Sequence, residues 1–299
     1  MLNFSVPQKE FKIGNVTVGG PPGQNPPVLS GSIFFSGHLL VKDPEKGIFD
    51  QDKAKRQLDK DGEASEQTGI PRIIDIQGET AQALIKYTEF VAAICDAPIS
   101  IDSALPRARM ETIEYFKGSD LIQRIIYNSI CPTYLDEELE CIKNCGVKTA
   151  VIMPFSTKAV RPKGRVKLLN DCLLAAAEKS GVENILVDAG MLDIPSTSWS
   201  SRAIWDVKDK TGLPCGCSPL HMISRWEKIK GMGSPSFEAA AATILAHPLI
   251  AGADYLFYGP MRNSTWVYPA CATVASMIAY GETLEGVHPI SEHPLYKIF

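Results

Sequence analysis

The sequence predicts a (β/α)8 TIM barrel with an N-terminal β-hairpin covering the amino-terminal end of the barrel. Arg72–Asp75, Ile99–Asp102 and Arg124–Asn128 are short β-branched segments, each ending in a polar residue. They recur about every 26 residues with a helix-length run between them, which is the signature of parallel βα units. Further strand-like segments keep that rhythm along the chain and bring the total to eight, the number at which such units close into a barrel.

In chain order, FKIGNVTVGG alternates apolar and polar residues and ends in Gly-Gly, which predicts a hairpin. GGPPGQNPP cannot be helix interior and serves as a connection, so residues 1–30 form an appendage to a single domain of residues 1–299. Ser32–Phe35 is the expected first barrel strand. Asp43–Gly69 is the most charged segment, with Gln51–Leu58 as its helix and Lys60–Thr68 as a solvated turn. Glu79–Cys95 sets Ala81, Leu84, Ile85, Thr88, Val91, Ala92 and Cys95 on one helical face. Leu135–Cys145 is a helix and Thr149–Met153 a strand. Val166–Lys179 is a helix facing inward through Val166, Leu169, Cys172, Leu173, Ala176 and Ala177, stopped by Gly181. Asn184–Val187 is the sixth strand, Ser201–Lys210 a helix and Pro214–Ser218 the seventh strand. Phe237–Ala246 is a helix halted by His247-Pro248, Tyr255–Tyr258 the eighth strand and Tyr268–Tyr280 the last helix.

Composition narrows the function classes. A hydrophobic content of 45% with 21% charged residues is that of an ordinary globular protein. A net charge of −4 and no Lys/Arg stripe argue against nucleic acid as partner. No apolar run approaches the roughly 20 residues of a membrane span, and MLNFSVPQKEF lacks the features of a secretory signal. The eight cysteines follow no disulfide pattern, so a reducing cytoplasmic setting is expected.

Ligands of parallel barrels bind at the carboxyl ends of the strands. The residues expected there are Asp75, Gln77, Asp102, Asn128, Met153, Asp188, Ser218 and Tyr258. Several carboxylates and amides without a cationic counter-patch suit a neutral heterocycle rich in N–H donors, of which a reduced pterin is one. A polar residue at a strand end can equally cap the next helix, and Ser103 beside Asp102 could share that task. Cys215-Gly-Cys217 with His221 resembles part of a thiolate zinc site, but no third sulfur lies nearby and Cys217 should turn into the wall; no protein-bound metal is expected. Cys141 and Cys145 stand at i, i+4 and read as packing. Phosphate loops, His-rich ligand motifs and a mid-strand Schiff-base lysine are absent.

PRIIDIQGET, APISIDS, IIYNSI and ENILVDAG, together with the opening FKIGNVTVGGPPGQNPPVLSGSIFFSGH, resemble the H-subunit family of tetrahydromethanopterin S-methyltransferase along essentially the whole chain. SIDS, YNSI and LVDAG are more distantly similar to pterin-binding methyltransferases that serve corrinoid proteins and to dihydropteroate synthase. The resemblance implies methyl transfer between a corrinoid cobalt and N5 of a tetrahydropterin, with Asp102, Asn128 and Asp188 as ring ligands and catalytic residues; strand-end placement adds Asp75, Gln77 and Ser218 as expected pterin-binding residues. Pro219 departs from the corrinoid iron–sulfur branch, which has an Asn near N5 at that position. The expected reading is a soluble homodimeric enzyme that takes methyl from a partner's methylcob(III)amide and delivers it to tetrahydrofolate, in the demethylation of quaternary amines such as betaine. The alternatives are a tetrahydromethanopterin-specific subunit of a membrane complex, or a dihydropteroate synthase-like enzyme with Arg262 as its anion ligand.

Overall fold

The structure, a computed structural model, describes residues 2–223 and 226–299. Eight strands, β1 (Val28–Ile33), β2 (Arg72–Gln77), β3 (Ile99–Asp102), β4 (Ile125–Ile130), β5 (Thr149–Ile152), β6 (Asn184–Asp188), β7 (Cys215–Cys217) and β8 (Tyr255–Pro260), pair in parallel and in chain order. β8 returns to β1 through Tyr255–Val28 and Leu256–Leu29 and closes the barrel. The period of two in each strand divides its side chains between barrel interior and helix layer.

The interior is apolar at one end and polar at the other. Val28, Ile73, Ile126, Val151, Leu186, Tyr255 and Phe257 cluster at the amino-terminal end with Ile13, Val16 and Val18 of the hairpin Glu10–Ile13/Val16–Gly19. The hairpin therefore plugs that end, as its alternation predicted. Towards the other end, Ser32, Asp75 and Ser100 stand side by side across β1, β2 and β3. One layer further, Gln77, Asp102 and Asn128 stand side by side across β2, β3 and β4. Polar groups are thereby confined to the open mouth, where a ligand or water can satisfy them.

Four expectations are corrected. The first strand lies earlier than Ser32–Phe35: it starts directly after Pro27 and ends where Phe34 takes φ of 66°. Lys60–Thr68 is not a turn. One helix runs from Gln51 to Thr68, capped by Asp50 Oδ1 on the Lys53 N–H at 3.1 Å and closed by left-handed Gly69. Its buried face, Ala54, Leu58, Asp61, Ala64 and Thr68, is too polar to show in the sequence pattern. A small antiparallel pair, Val41–Asp43 with Ile48–Phe49, precedes it. The helix Ser234–Ile250 runs through Pro248, since a proline in the last turn forfeits only one late hydrogen bond. Finally, Tyr258 leaves the group of mouth residues. It is buried in the helix layer, where its hydroxyl donates to Asp61 on the first helix.

The remaining units follow expectation, with helices at Ala81–Ala92, Asp136–Cys145, Thr197–Thr211 and Ser264–Glu282. The helix Pro162–Ser180 holds a single π turn at Leu169–Leu173. Cys215 and Cys217 are buried against the helix layer, facing away from the mouth, and Cys141 and Cys145 pack on one helix with sulfurs 4.0 Å apart.

Candidate active site

The site is built upward from Asp75. Its side chain sits inside the barrel, where Oδ2 accepts from Ser32 Oγ at 2.7 Å and Oδ1 from Ser100 Oγ at 2.8 Å. Gln77, two residues on and facing the same way, donates Nε2 to Asp75 Oδ2 at 3.1 Å and to Asp102 Oδ2 at 3.0 Å. Asn128 Nδ2 donates to Ser100 Oγ at 3.2 Å. One connected network thus joins β1 to β4 and leaves acceptor capacity at the mouth.

Burial pushes the Asp75 carboxyl above its ordinary range, against the hydrogen bonds from Ser32, Ser100, Gln77 and Asn128. Asp102 still reaches the mouth, yet burial and then the charge of Asp75 hold its carboxyl well above the usual range, with Arg109 opposing. The charge of Asp75, joined to Asp102 through the Gln77 amide, thus makes ionisation of Asp102 costlier.

Asp188 closes the ring of acceptors from the opposite wall. It ends β6, and its Oδ1 accepts the Gly190 N–H at 2.7 Å, fixed by the left-handed turn at Gly190 with φ of 72°. Burial raises its carboxyl to about 6, against the Gly190 bond and the charge of Arg165. Asp188 is among the groups whose charge raises Asp102, so the two walls act on each other.

The remaining expected residues divide. Ser218 follows β7, half-buried, at the parity opposite to the wall-facing cysteines. Met153 is half-buried after β5, where its backbone N–H donates to Ile130, and it brings no polar group. Pro219 is buried and supplies no donor. His221 does not join Cys215 and Cys217: with Phe34, Tyr87, Gln77 and Asp102 it lines a cleft of about 390 Å³ beside the mouth. Among the described residues no group of three or more His, Cys, Asp or Glu is placed to hold a metal.

Sequence reasoning missed Ser32, Ser100, Arg109 and Arg165. The two serines had a signal, since VLSGSI and PISID place them at inward parity two residues below the mouth. The arginines lie on helices and reach the site loops only through packing.

Known proteins share this architecture. The model of the tetrahydromethanopterin S-methyltransferase MtrH subunit family matches residues 7–290. The H subunit of tetrahydromethanopterin S-methyltransferase from Methanopyrus kandleri is 32% identical over 97% of this chain and 98% of its own. The same subunit of Methanothermobacter marburgensis is 31% identical over the full length of both. Among solved structures, Yersinia pestis dihydropteroate synthase with a pterine-sulfa conjugate aligns with a TM-score of 0.64 over 90% of this chain and 99% of that one, at 12% identity. Thermus thermophilus dihydropteroate synthase with 4-aminobenzoate gives 0.61 over 90% and 100%, at 13% identity. At such identities the likeness shows the barrel fold alone.

Proposed function

This chain belongs to the MtrH subunit family of tetrahydromethanopterin S-methyltransferase, a family of methyltransferases, and we propose that it moves a methyl group between a corrinoid carried by a partner protein and N5 of a tetrahydropterin bound at the barrel mouth. The observation that carries this reading is the acceptor-lined mouth formed by Gln77, Asp102, Asn128 and Asp188 above the buried Asp75. A tetrahydropterin ring presents an amino group and ring N–H groups along one edge. Asp102 and Asp188 on facing walls accept from that edge, and Asn128 both gives and takes.

The reaction is an in-line displacement in which N5 forms the new bond to carbon and the cobalt–carbon pair leaves with cob(I)amide. N5 then releases its proton, and in reverse it must be protonated before it can leave. The chain's task is to hold the ring so that N5 faces the opening and a bulky methyl donor can reach it. Ser218, Asn128 and bound water are the candidates for the N5 proton, since Pro219 supplies no donor.

The relatives' names favour tetrahydromethanopterin over the tetrahydrofolate expected from the sequence. The ring-reading residues serve either pterin, so a direct comparison decides. Purified protein is titrated with both pterins, then mixed anoxically with methylcob(III)alamin and each. Cob(I)alamin absorbance with methylated tetrahydromethanopterin supports this reading, and turnover with tetrahydrofolate alone moves it to the folate branch. Turnover with neither pterin, and binding of neither, overturns it. A dihydropteroate synthase activity is the weaker reading because the mouth network holds carboxylates and amides, not cations.

No helix among the described residues is long and apolar enough to cross a membrane. Exposed Ile250, Met277 and Tyr280, with Thr243, His247, Pro269 and Thr273, form an uncharged stretch along the helices Ser234–Ile250 and Ser264–Glu282, with the Glu238 carboxylate at its edge. Such a face meets itself without like-charge repulsion and supports the homodimer reading. Light scattering that returns a monomer mass would rule it out.

A further inference from the structure

Two buried arginines each hold the backbone just beyond a proposed ring ligand. Arg109, on the helix Pro106–Tyr115, donates Nη1 to the carbonyl of Ser103, the residue after Asp102. Its Nη2 donates at 3.3 Å to the carbonyl of Ser129, the residue after Asn128. One guanidinium therefore ties the ends of β3 and β4 together. It is held in turn by Glu138 Oε1 at 2.6 Å, which also accepts from Tyr127 Oη at 2.5 Å, and it lies over the Tyr127 ring at 5.0 Å.

Arg165 repeats the arrangement on the opposite wall. Its Nη1 donates to the carbonyls of Ala189 and Gly190, the two residues after Asp188, at 2.7 and 3.0 Å, and to Ser200 Oγ at 3.0 Å. Nε donates to the Val160 carbonyl at 2.8 Å, and the guanidinium lies over Phe155 at 4.9 Å. The side chain is fully buried, and Nε and Nη1 give their hydrogen bonds to carbonyls and a hydroxyl rather than to a carboxylate. Burying a cation on such partners is a poor way to gain stability. A lysine in the same place would offer a point charge but not a planar fork spanning several carbonyls.

We propose that Arg109 and Arg165 are positioning residues that set the spacing of Asp102, Asn128 and Asp188 across the mouth. The proposal rests on those three being the ring ligands. Methyl transfer needs N5 aligned within a fraction of an ångström, and small displacements of the supporting loops are costly there.

Arg109→Lys and Arg165→Lys test the idea beside Asp102→Ala and Asp188→Ala. Folding is followed by circular dichroism, pterin affinity by calorimetry with tetrahydromethanopterin and tetrahydrofolate in parallel, and kinetics with methylcob(III)alamin as donor. The folded lysine variants should bind the pterin about 10- to 100-fold more weakly, with KM for the pterin raised and KM for methylcob(III)alamin unchanged. A merely structural role would lower the melting temperature and the active fraction and leave both KM values alone, which overturns the proposal. If the lysine variants do not fold, Glu138→Gln and Ser200→Ala loosen each arginine without removing it, and wild-type pterin affinity in both also overturns it. Asp102→Ala and Asp188→Ala separate the two failures. Weakened binding in either with normal binding in the lysine variants sinks the clamps alone, and normal binding in both Asp102→Ala and Asp188→Ala sinks the ligand assignment and the clamps with it.

Discussion

Asp75 and Asp102 share one donor: Gln77 Nε2 lies 3.1 Å from Oδ2 of the first and 3.0 Å from Oδ2 of the second. The two carboxyls belong to successive strands and to successive layers of the barrel, so the amide couples a buried anchor to a carboxyl at the mouth. Ser32 and Ser100 satisfy Asp75 from either side, which leaves the upper carboxyl to face the opening.

Removal of an acceptor from the mouth should cost affinity. Asp102→Ala and Asp188→Ala are each expected to weaken pterin binding by about 1–3 kcal/mol, because a buried donor on the ligand is left unpaired. Calorimetric titration of the folded variants measures this, and unchanged affinity in both would show that the ring is held elsewhere.

Asp188 should trade stability for binding. Its carboxyl ionises at an ordinary 3.8 when unfolded and at about 6 in the fold, so the folded state holds the proton more tightly. That contribution is full below pH 3.8 and is lost as pH rises through 6, a loss of about 3 kcal/mol at neutral pH. Asp188→Asn keeps an acceptor for the Gly190 N–H and carries no charge. The ligand-free variant should therefore be more stable than wild type at pH 7.5 and no more stable at pH 3.5, while binding pterin less well. Urea unfolding at the two pH values decides.

Chelation should leave methyl transfer intact. Cys215 and Cys217 point into the helix layer, and burial pushes both thiols well above their ordinary range, so neither offers a thiolate to the mouth. Stoichiometric zinc by elemental analysis, with activity lost on its removal, is the opposing result.

Gly31→Ala should destabilise the barrel by about 1–3 kcal/mol, the usual cost of overpacking. A Cβ there would collide with the Tyr258 hydroxyl, which is pinned by Asp61. Tyr258→Phe, which removes that oxygen, should recover part of the loss in the double variant; additive melting shifts would contradict the contact.

The amino-acid sequence by itself determined the barrel, the direction of its strands and the placing of Asp102, Asn128 and Asp188 at the mouth; Asp75 lies one layer below it, because its strand runs on to Gln77. Alternation and spacing are local properties, and in a parallel barrel every strand end lies at the same mouth. The sequence could not separate Tyr258 from those residues, because one step of parity decides between mouth and helix layer and the glycine that follows obscures it. Nor could it show that Lys60–Thr68 is helical. That helix is held by Asp61, whose burial depends on Arg72 at 3.2 Å and on Tyr258 from far along the chain. Tertiary structure alone decided that Gln77 bridges two carboxylates and that Arg109 and Arg165 grip the backbone beyond Asp102, Asn128 and Asp188. Those contacts join residues whose separation in the chain carries no period, and only closure of the barrel brings their side chains within hydrogen-bonding reach.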